Sequence, residues 1–281
     1  MSEGIRPLPD TGERMIPEST HYRTFLDHIN RYRFALAFVF GKRVLDIACG
    51  EGYGAAALAR AGAAQVVGID IAPEVVEHAR RKYGIDARVG SADQIELPDG
   101  SVDVVVSFET IEHLCKPAAF LREVVRVLAP GGVLILSTPN QQHVPSGDSH
   151  NRFHHSEMTE AEFRWGVEGT FRTVRYFAQE LLEARLLSVH AVAALHTRPR
   201  LRPLSGMIFR MRPWLCSEYG RSPRPEYRAD PVLAITDHRP TWRDRLFDTS
   251  YIRPSTPGTG DDPVFFLAIA SDPYPQPELP R

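Results

Sequence analysis

Two carboxylates and an imidazole fall within five residues of the segment FETIEHL (108–114), as Glu109, Glu112 and His113. The segment follows the apolar run VDVVVSF (102–108), whose composition is that of a strand covered on both faces. Charge is costly to hide at the open end of such a strand, so these groups read as a site for a cation or for moving a proton. Oxygen and imidazole donors suit Mg²⁺ or Mn²⁺ better than a closed zinc site. In a plainer alternative, Glu112 and His113 cap the helix that follows, and Glu109 approaches a bound cofactor from the strand end. Downstream, HNRFHHSEMTEAEF (150–163) supplies His150, His154 and His155. A base at His113 or His154 without any metal is a third reading of the same residues. His143 and His155 read as solvated loop residues.

A second constellation, VLDIACGEGYG (44–54), runs strand, turn, helix. Gly50 and Gly52 let the backbone turn sharply and approach a ligand with no Cβ in the way. Asp46 stands at the strand end, Asp70 ends the next apolar run, and Asp93 follows the third. Asp70 is suited to accept hydrogen bonds from two ribose hydroxyls, and Asp93 could face an adenine amino group. Alone, a glycine-rich turn could serve a dinucleotide or only a tight bend. A dinucleotide fingerprint reads G-x-G-x-x-G, whereas here the glycines follow an acid in the order D-x-A-x-G-x-G.

The elements that must position these groups can be read from periodicity. Residues 21–40 place Tyr22, Phe25, Leu26, Ile29, Tyr32 and Leu36 at helical spacing, ending near Gly41. Strands are predicted at 43–48, 65–70, 86–90, 102–108 and 131–139, with helices at 54–62, 74–84 and 118–129 between them. A helix over 159–168 has Thr159 and Glu162 at capping-box spacing. Strands at 171–178 and 263–271 follow, the last closing the sheet. This alternation predicts an α/β fold, a doubly wound Rossmann-like sheet, mostly parallel, with helices on both faces. Ligands on such a sheet sit outside the carboxyl ends of the strands near the switch point. That places Asp46, Asp70, Asp93 and segment 108–114 along one edge. The expected organisation is an arm and lid helix over 1–40, a catalytic domain over 41–194 and 260–273, and a loop-like, Arg/Pro-rich insertion over 195–259.

Taken together, the glycine loop and the acids after it resemble those of the class I S-adenosylmethionine-dependent methyltransferases, over roughly residues 43–140 and the closing strand 263–270. The resemblance implies S-adenosylmethionine as cofactor. Asp46, Ala48, Gly50 and Gly52 would hold its methionine part, Asp70 its ribose and Asp93 its adenine, with Ile71, Ser107 and Glu109 completing the set. Ala48 stands where the family has its first glycine. The E-x-x-E-H segment is similar to that of small-RNA 3′-terminal 2′-O-methyltransferases, which implies a divalent cation on Glu109, Glu112, His113 and His154. Bacterial sugar and glycan methyltransferases and quinone-pathway O-methyltransferases carry similar segments. The expected function is methyl transfer to a hydroxyl of a sugar, glycan or other small-molecule natural product, with His113, Glu112 and His154 as catalytic residues. An RNA ribose 2′-O-methyltransferase and a non-catalytic cofactor-binding scaffold are the alternatives.

The bulk numbers narrow the choice. A net charge of −2 over 281 residues fits poorly with a chain that coats nucleic acid. Residues 198–228 hold eight arginines against Glu218 and Glu226, a local charge of about +6, with Trp214, Tyr219 and Tyr227 interleaved. Arginine forks there suit phosphate or carboxylate, though a solvated, proline-stiffened loop has the same composition. The N-terminal arm is expected to close over the acceptor, with Arg14, His21, Tyr22 and His150 as acceptor contacts. Three cysteines without paired spacing, Cys49, Cys115 and Cys216, fit a reducing compartment. Neither a secretory apolar core nor a membrane-spanning run is present. The expected location is cytoplasmic, and a homodimer is the candidate assembly.

Overall fold

The computed structural model describes residues 8–9, 14–17, 19–20, 22–141, 155–156, 158–181, 231–236, 250–254 and 265–275. Helix α1 (Tyr22–Ala35) leads through a 3₁₀ turn (Leu36–Phe38) into β1 (Arg43–Ile47). Then follow α2 (Tyr53–Arg60), β2 (Gln65–Asp70), α3 (Pro73–Tyr83), β3 (Asp86–Val89) and β4 (Val102–Phe108). A second 3₁₀ turn (Ile111–His113) precedes α4 (Pro117–Val127), β5 (Leu128–Pro139), α5 (Glu160–Glu168) and β6 (Phe171–Leu181). The later elements are a short helix α6 (Pro231–Thr236), β7 (Ser250–Pro254) and β8 (Phe265–Pro273).

Among the described residues, eight strands form one sheet in the order β3-β2-β1-β4-β5-β8-β6-β7. The first five run parallel, and β8 lies antiparallel between β5 and β6. The chain builds outward from β1 to β3 and then returns to place β4 on β1's other side, so the switch point lies between β1 and β4. A crevice at the carboxyl ends of those two strands is where such a sheet binds ligands.

Local signals explain the elements. Pro73 and Pro117 each open a helix, where their missing N–H costs nothing. Thr159 and Glu162 close a reciprocal capping box on α5, each side chain bonding the other's backbone N–H. Alternating residues of β4 feed two cores: Val105 packs with α4 and α5, while Val104, Val106 and Phe108 pack with α1, α2 and α6. The predicted face of α1 is the buried one, with Phe25, Ile29 and Tyr32 inward.

The insertion expected to be loop-like departs from that expectation at two places. Residues 231–236 form α6, whose Val232 and Ile235 sit one turn apart and are both buried in the α1–α2 core. Residues 250–254 form β7, paired antiparallel with the far end of β6 from Phe177↔Pro254 to Leu181↔Ser250. An edge strand needs a ladder on one side only and tolerates the terminal Pro254, so five residues with little alternation suffice. Strand β5 begins at Leu128, before the predicted Gly131, because its pairing with β4 shifts register between Val102 and Val104.

Candidate active site

The carboxyl ends of β1, β2 and β4 enclose an open cleft of about 420 Å³, within the range of small-molecule sites. Its floor is the turn from β1 to α2, its walls the ends of β2 and β4, and its near side α1 and residues Arg14 and Met15. Two of the cleft residues, Ala48 (φ 58°) and Glu109 (φ 53°), hold a left-handed backbone without being glycine. That conformation costs about 1–2 kcal/mol per residue, and such strain is retained where a side chain or a loop must be aimed. Glycine at the first loop position would adopt it freely, so Ala48 carries a backbone strain that the expected glycine would not.

Under this turn lies Asp46. Its carboxylate is buried and accepts the Tyr32 hydroxyl at 3.2 and 3.1 Å from Oδ1 and Oδ2. Burial pushes its pKa up to about 7; the Tyr32 hydrogen bond opposes that shift and the nearby Asp70 charge adds to it. Tyr32 itself packs edge-on against Tyr53 and Phe108, and burial raises its hydroxyl well above the usual phenol range. The Tyr53 hydroxyl meets His28 Nδ1 at 3.3 Å. Burial, then the Arg31 charge, hold the His28 imidazole well below its usual range, so the ring is neutral at pH 7.

Asp70 ties the turn to β2. Its Oδ2 accepts the Gly50 N–H at 2.9 Å and its Oδ1 the Ala72 N–H at 3.0 Å. Each oxygen keeps a lone pair for a ligand. Beside it Ile71 is 73% exposed, an apolar side chain held open on the cleft wall. Glu51 anchors the turn from the other side, accepting His78 Nε2 at 3.1 Å, Lys82 Nζ and the Tyr83 hydroxyl at 3.4 Å.

The FETIEHL carboxylates follow one rule. Ser137 Oγ donates to Glu109 Oε1 at 2.7 Å, and the next residue, Thr138, donates from Oγ1 to Glu112 Oε2 at 3.1 Å. Consecutive β5 hydroxyls thus pin one oxygen of each carboxylate. Glu112 is 1% exposed, and its other oxygen, Oε1, is buried with no hydrogen bond. His113 Nε2 stands 3.9 Å from that oxygen. Burial, then the Glu109 charge, raise the Glu112 pKa well above the carboxylate range. The Glu112 carbonyl accepts both His155 N–H and Ser156 N–H at 2.9 Å, and Ser156 Oγ donates to the Leu114 carbonyl at 2.9 Å. This staple brings the segment after β5 onto the strand-four turn, and His155 joins His113 on the cleft wall. His155 is exposed in a bend, as expected of a solvated loop residue; its place on the cleft wall comes from the staple, which is tertiary and leaves no local signature.

Of the residues singled out from sequence, Arg14, Ala48, Gly50, Asp70, Ile71, Glu109 and His113 line the cleft. Asp46 lies beneath the turn, and Gly52 packs where a Cβ would meet Ala79 at 2.7 Å. Ser107 is buried in β4 with its hydroxyl unpartnered, and the exposed Asp93 accepts from the Ser91 hydroxyl. His21, His150 and His154 lie outside the described residues, as does the Tyr22 side chain. Among the described residues no group of three or more His, Cys, Asp and Glu side chains is arranged to hold a metal ion. Cys49 and Cys115 are free thiols, and Cys216 is outside the described residues. No described helix is long and apolar enough to cross a membrane. Arg31, Tyr32, His28 and Glu51 were not found from sequence. The helical spacing pointed Tyr32 inward, but that its hydroxyl meets Asp46 depends on how α1 docks.

Residues 45–136 match the family described as a methyltransferase domain. A probable S-adenosylmethionine-dependent methyltransferase of Mycolicibacterium smegmatis is 44% identical over 161 residues, which is 55% of this chain and 62% of that one. The ubiquinone biosynthesis O-methyltransferase of Xanthomonas oryzae pv. oryzae is 43% identical over 107 residues, 36% of this chain and 44% of that one. The matched segment therefore spans about half the length of these curated relatives. A solved S-adenosylmethionine-dependent methyltransferase from Thermotoga maritima shares the fold, with TM-score 0.53 at 14% identity over 89% of this chain and 90% of that one.

Proposed function

We propose, from the premise that residues 45–136 are a domain of the class I S-adenosylmethionine-dependent methyltransferases, that this protein is an O-methyltransferase acting on a small-molecule hydroxyl. A sugar, a glycan or another natural product is the acceptor class we favour. The observation that carries the reading is the pair of carboxylates held beside His113, at the end of the strand next to the β1–α2 turn. The O-methyltransferase name of a relative matched over this same region supports an oxygen acceptor over a nitrogen or carbon one. The near-neutral net charge favours a small molecule over RNA.

The cofactor supplies a methyl group on a sulfonium, so its leaving group is built in. The chain's work is to orient two molecules and to remove one proton. The backbone around Ala48 and Gly50, with Asp70 and Ile71, would hold the cofactor in the cleft. The Glu109 oxygen left over from the Ser137 bond would accept from a neighbouring hydroxyl of the acceptor, leaving the attacking hydroxyl's own proton for His113. His113 Nε2 would take the hydroxyl proton as the oxygen attacks the methyl carbon and the carbon–sulfur bond breaks. The imidazolium so formed faces Glu112 Oε1, a buried oxygen otherwise without a partner.

A divalent ion, Mg²⁺ or Mn²⁺, is the second reading, favoured by that same orphaned oxygen. Glu109, Glu112, His113 and His154 would hold it, and it would lower the pKa of the acceptor hydroxyl.

The test incubates the protein with methyl-labelled S-adenosylmethionine and a panel of catechols, sugars, nucleotide sugars, glycans and RNA, with and without EDTA. Methylation of a small hydroxylic acceptor is expected. His113→Ala should lower kcat by about 10²–10³-fold, with S-adenosylhomocysteine affinity within about threefold of the unmodified chain. Transfer to RNA alone, or cofactor binding with no transfer to anything, would overturn the reading. Activity abolished by EDTA and restored by Mg²⁺ would move the proton's removal from His113 alone to the metal.

A further inference from the structure

Arg31 is the largest fully buried side chain among the described residues, at 0% exposure. Taking a guanidinium out of water costs several kcal/mol unless its donors and charge are answered, so its surroundings should show what it is for. Arg31 Nη1 donates to Gln179 Oε1 at 2.9 Å, and the guanidinium lies 4.4 Å from the Phe265 ring centre. Gln179 is equally buried and fixed in turn, its Nε2 donating to the Asp27 carbonyl at 3.1 Å. Three elements, α1, β6 and β8, therefore lock the charge in place. Nε, by contrast, is buried with no acceptor. Hydrogen bonding alone gives a poor account of a cation here.

Among the described residues, the carboxylate that comes within ion-pair range of Arg31 is Glu109, with Nη1 to Oε1 at 3.9 Å. That separation is electrostatic contact rather than a hydrogen bond. It falls on the oxygen that Ser137 already pins. Both attractions thus act on Oε1 and leave Oε2 to the cleft. They act on a residue whose left-handed backbone (φ 53°) already resists relaxing into the strand. Glu112 lies beyond, and the same guanidinium partly offsets the repulsion between the two acids.

We propose that Arg31 is a positioning residue for Glu109. Its buried charge draws Oε1 toward the sheet and so presents Oε2 to the acceptor. The inference rests on the function proposed above, because it gives Glu109 an acceptor to orient.

The experiment has an arm that needs no acceptor and an arm that does. In the first, thermal melts compare Arg31→Met, Glu109→Gln and the double variant. Removing one partner of a buried pair leaves the other uncompensated, whereas removing both does not. The double variant is therefore expected to melt no lower than the worse single one, and additive losses would overturn the tether. Arg31→Lys covers the case in which Arg31→Met does not fold. It keeps the charge without the planar fork, and is expected to show the same non-additivity with Glu109→Gln at smaller amplitude.

In the second arm, titration with S-adenosylhomocysteine should give affinities within about threefold of the unmodified chain. With the acceptor found in the panel, kcat should fall about 10–100-fold in Arg31→Met while KM changes little, and Arg31→Lys should recover part of it. A loss of S-adenosylhomocysteine affinity as large as the loss of kcat would place Arg31 on the cofactor side and overturn the proposal. If the unmodified chain methylates nothing, the functional reading fails while the melts still decide whether Arg31 and Glu109 are coupled.

Discussion

At Asp46, burial and hydrogen bonding pull in opposite directions, and burial wins. The carboxyl ionises near pH 7 in the folded chain against an ordinary value of 3.8. Between those values the folded state keeps a proton that the unfolded chain has already released. The stability this contributes is therefore lost as pH rises from about 4 to about 7. Asp46→Asn has nothing to ionise and keeps an oxygen for the Tyr32 hydroxyl. Relative to the unmodified chain, the variant should gain roughly 2–3 kcal/mol between pH 5 and pH 8. Denaturant melts at the two pH values read this directly, and the comparison cancels the parallel contribution of Glu112, present in both proteins. An equal difference at both pH values would mean that Asp46 ionises normally and that Tyr32 is an ordinary neighbour. Sequence placed Asp46 at the strand end and read it as a cofactor ligand. Its position beneath the turn follows from the Tyr32 contact, which no local pattern announces.

Among the elements, α1 and the β1–α2 turn depend on each other more than their spacing in the chain suggests. The Tyr32 ring occupies the place where a Cβ on Gly54 would be. Glycine at 54 therefore lets α1 come down onto α2 and brings the Tyr32 hydroxyl to Asp46. In Gly54→Ala the ring must leave, taking the hydrogen bond with it. Overpacking of this kind costs about 1–3 kcal/mol, and S-adenosylhomocysteine affinity should weaken because the turn loses its support. Tyr32→Ala removes the obstacle, so the double variant should be less destabilised than the two single losses added together. Additive losses would show that the helix and the turn are independent. The helical register of α1 was legible because Phe25, Ile29 and Tyr32 recur on one face, and the α5 capping box was legible because it is local. Strand β7 was not, since its five residues become a strand only when β6 offers an unpaired edge.

Over the whole molecule, the parallel half of the sheet could be read from sequence because β1, β2, β4 and β5 carry apolar runs and Pro73 and Pro117 mark the starts of α3 and α4, although β3 is short, largely exposed and joined to β4 with no helix between. The antiparallel half could be read only in part, since β8 pairs with two strands whose order no local feature sets. The cleft shows the same division. Its turn and the acids of β2 and β4 lie in recognisable motifs, whereas His155, Arg31 and the N-terminal contribution arrive through tertiary contact. That last contribution can be measured. Met15 and Ile16 are both buried although they stand in a polar, proline-bearing stretch. A local turn fixes them, the Ser19 and Thr20 N–H groups donating to the Ile16 carbonyl and the Ile16 N–H donating to Thr20 Oγ1. This turn sets Arg14 and Met15 against the cleft. Burying two such side chains contributes on the order of 3–5 kcal/mol. Deleting residues 1–20 should therefore lower Tm by roughly 10 °C and weaken S-adenosylhomocysteine binding about tenfold by opening one side of the cleft. Ile16→Ala should reproduce part of the loss in Tm with little change in binding, since Ile16 lies behind the cleft wall. If the truncated chain keeps both its Tm and its affinity, the N-terminal segment does not close the site, and selection of the acceptor falls to the walls built from β4 and the segment after β5.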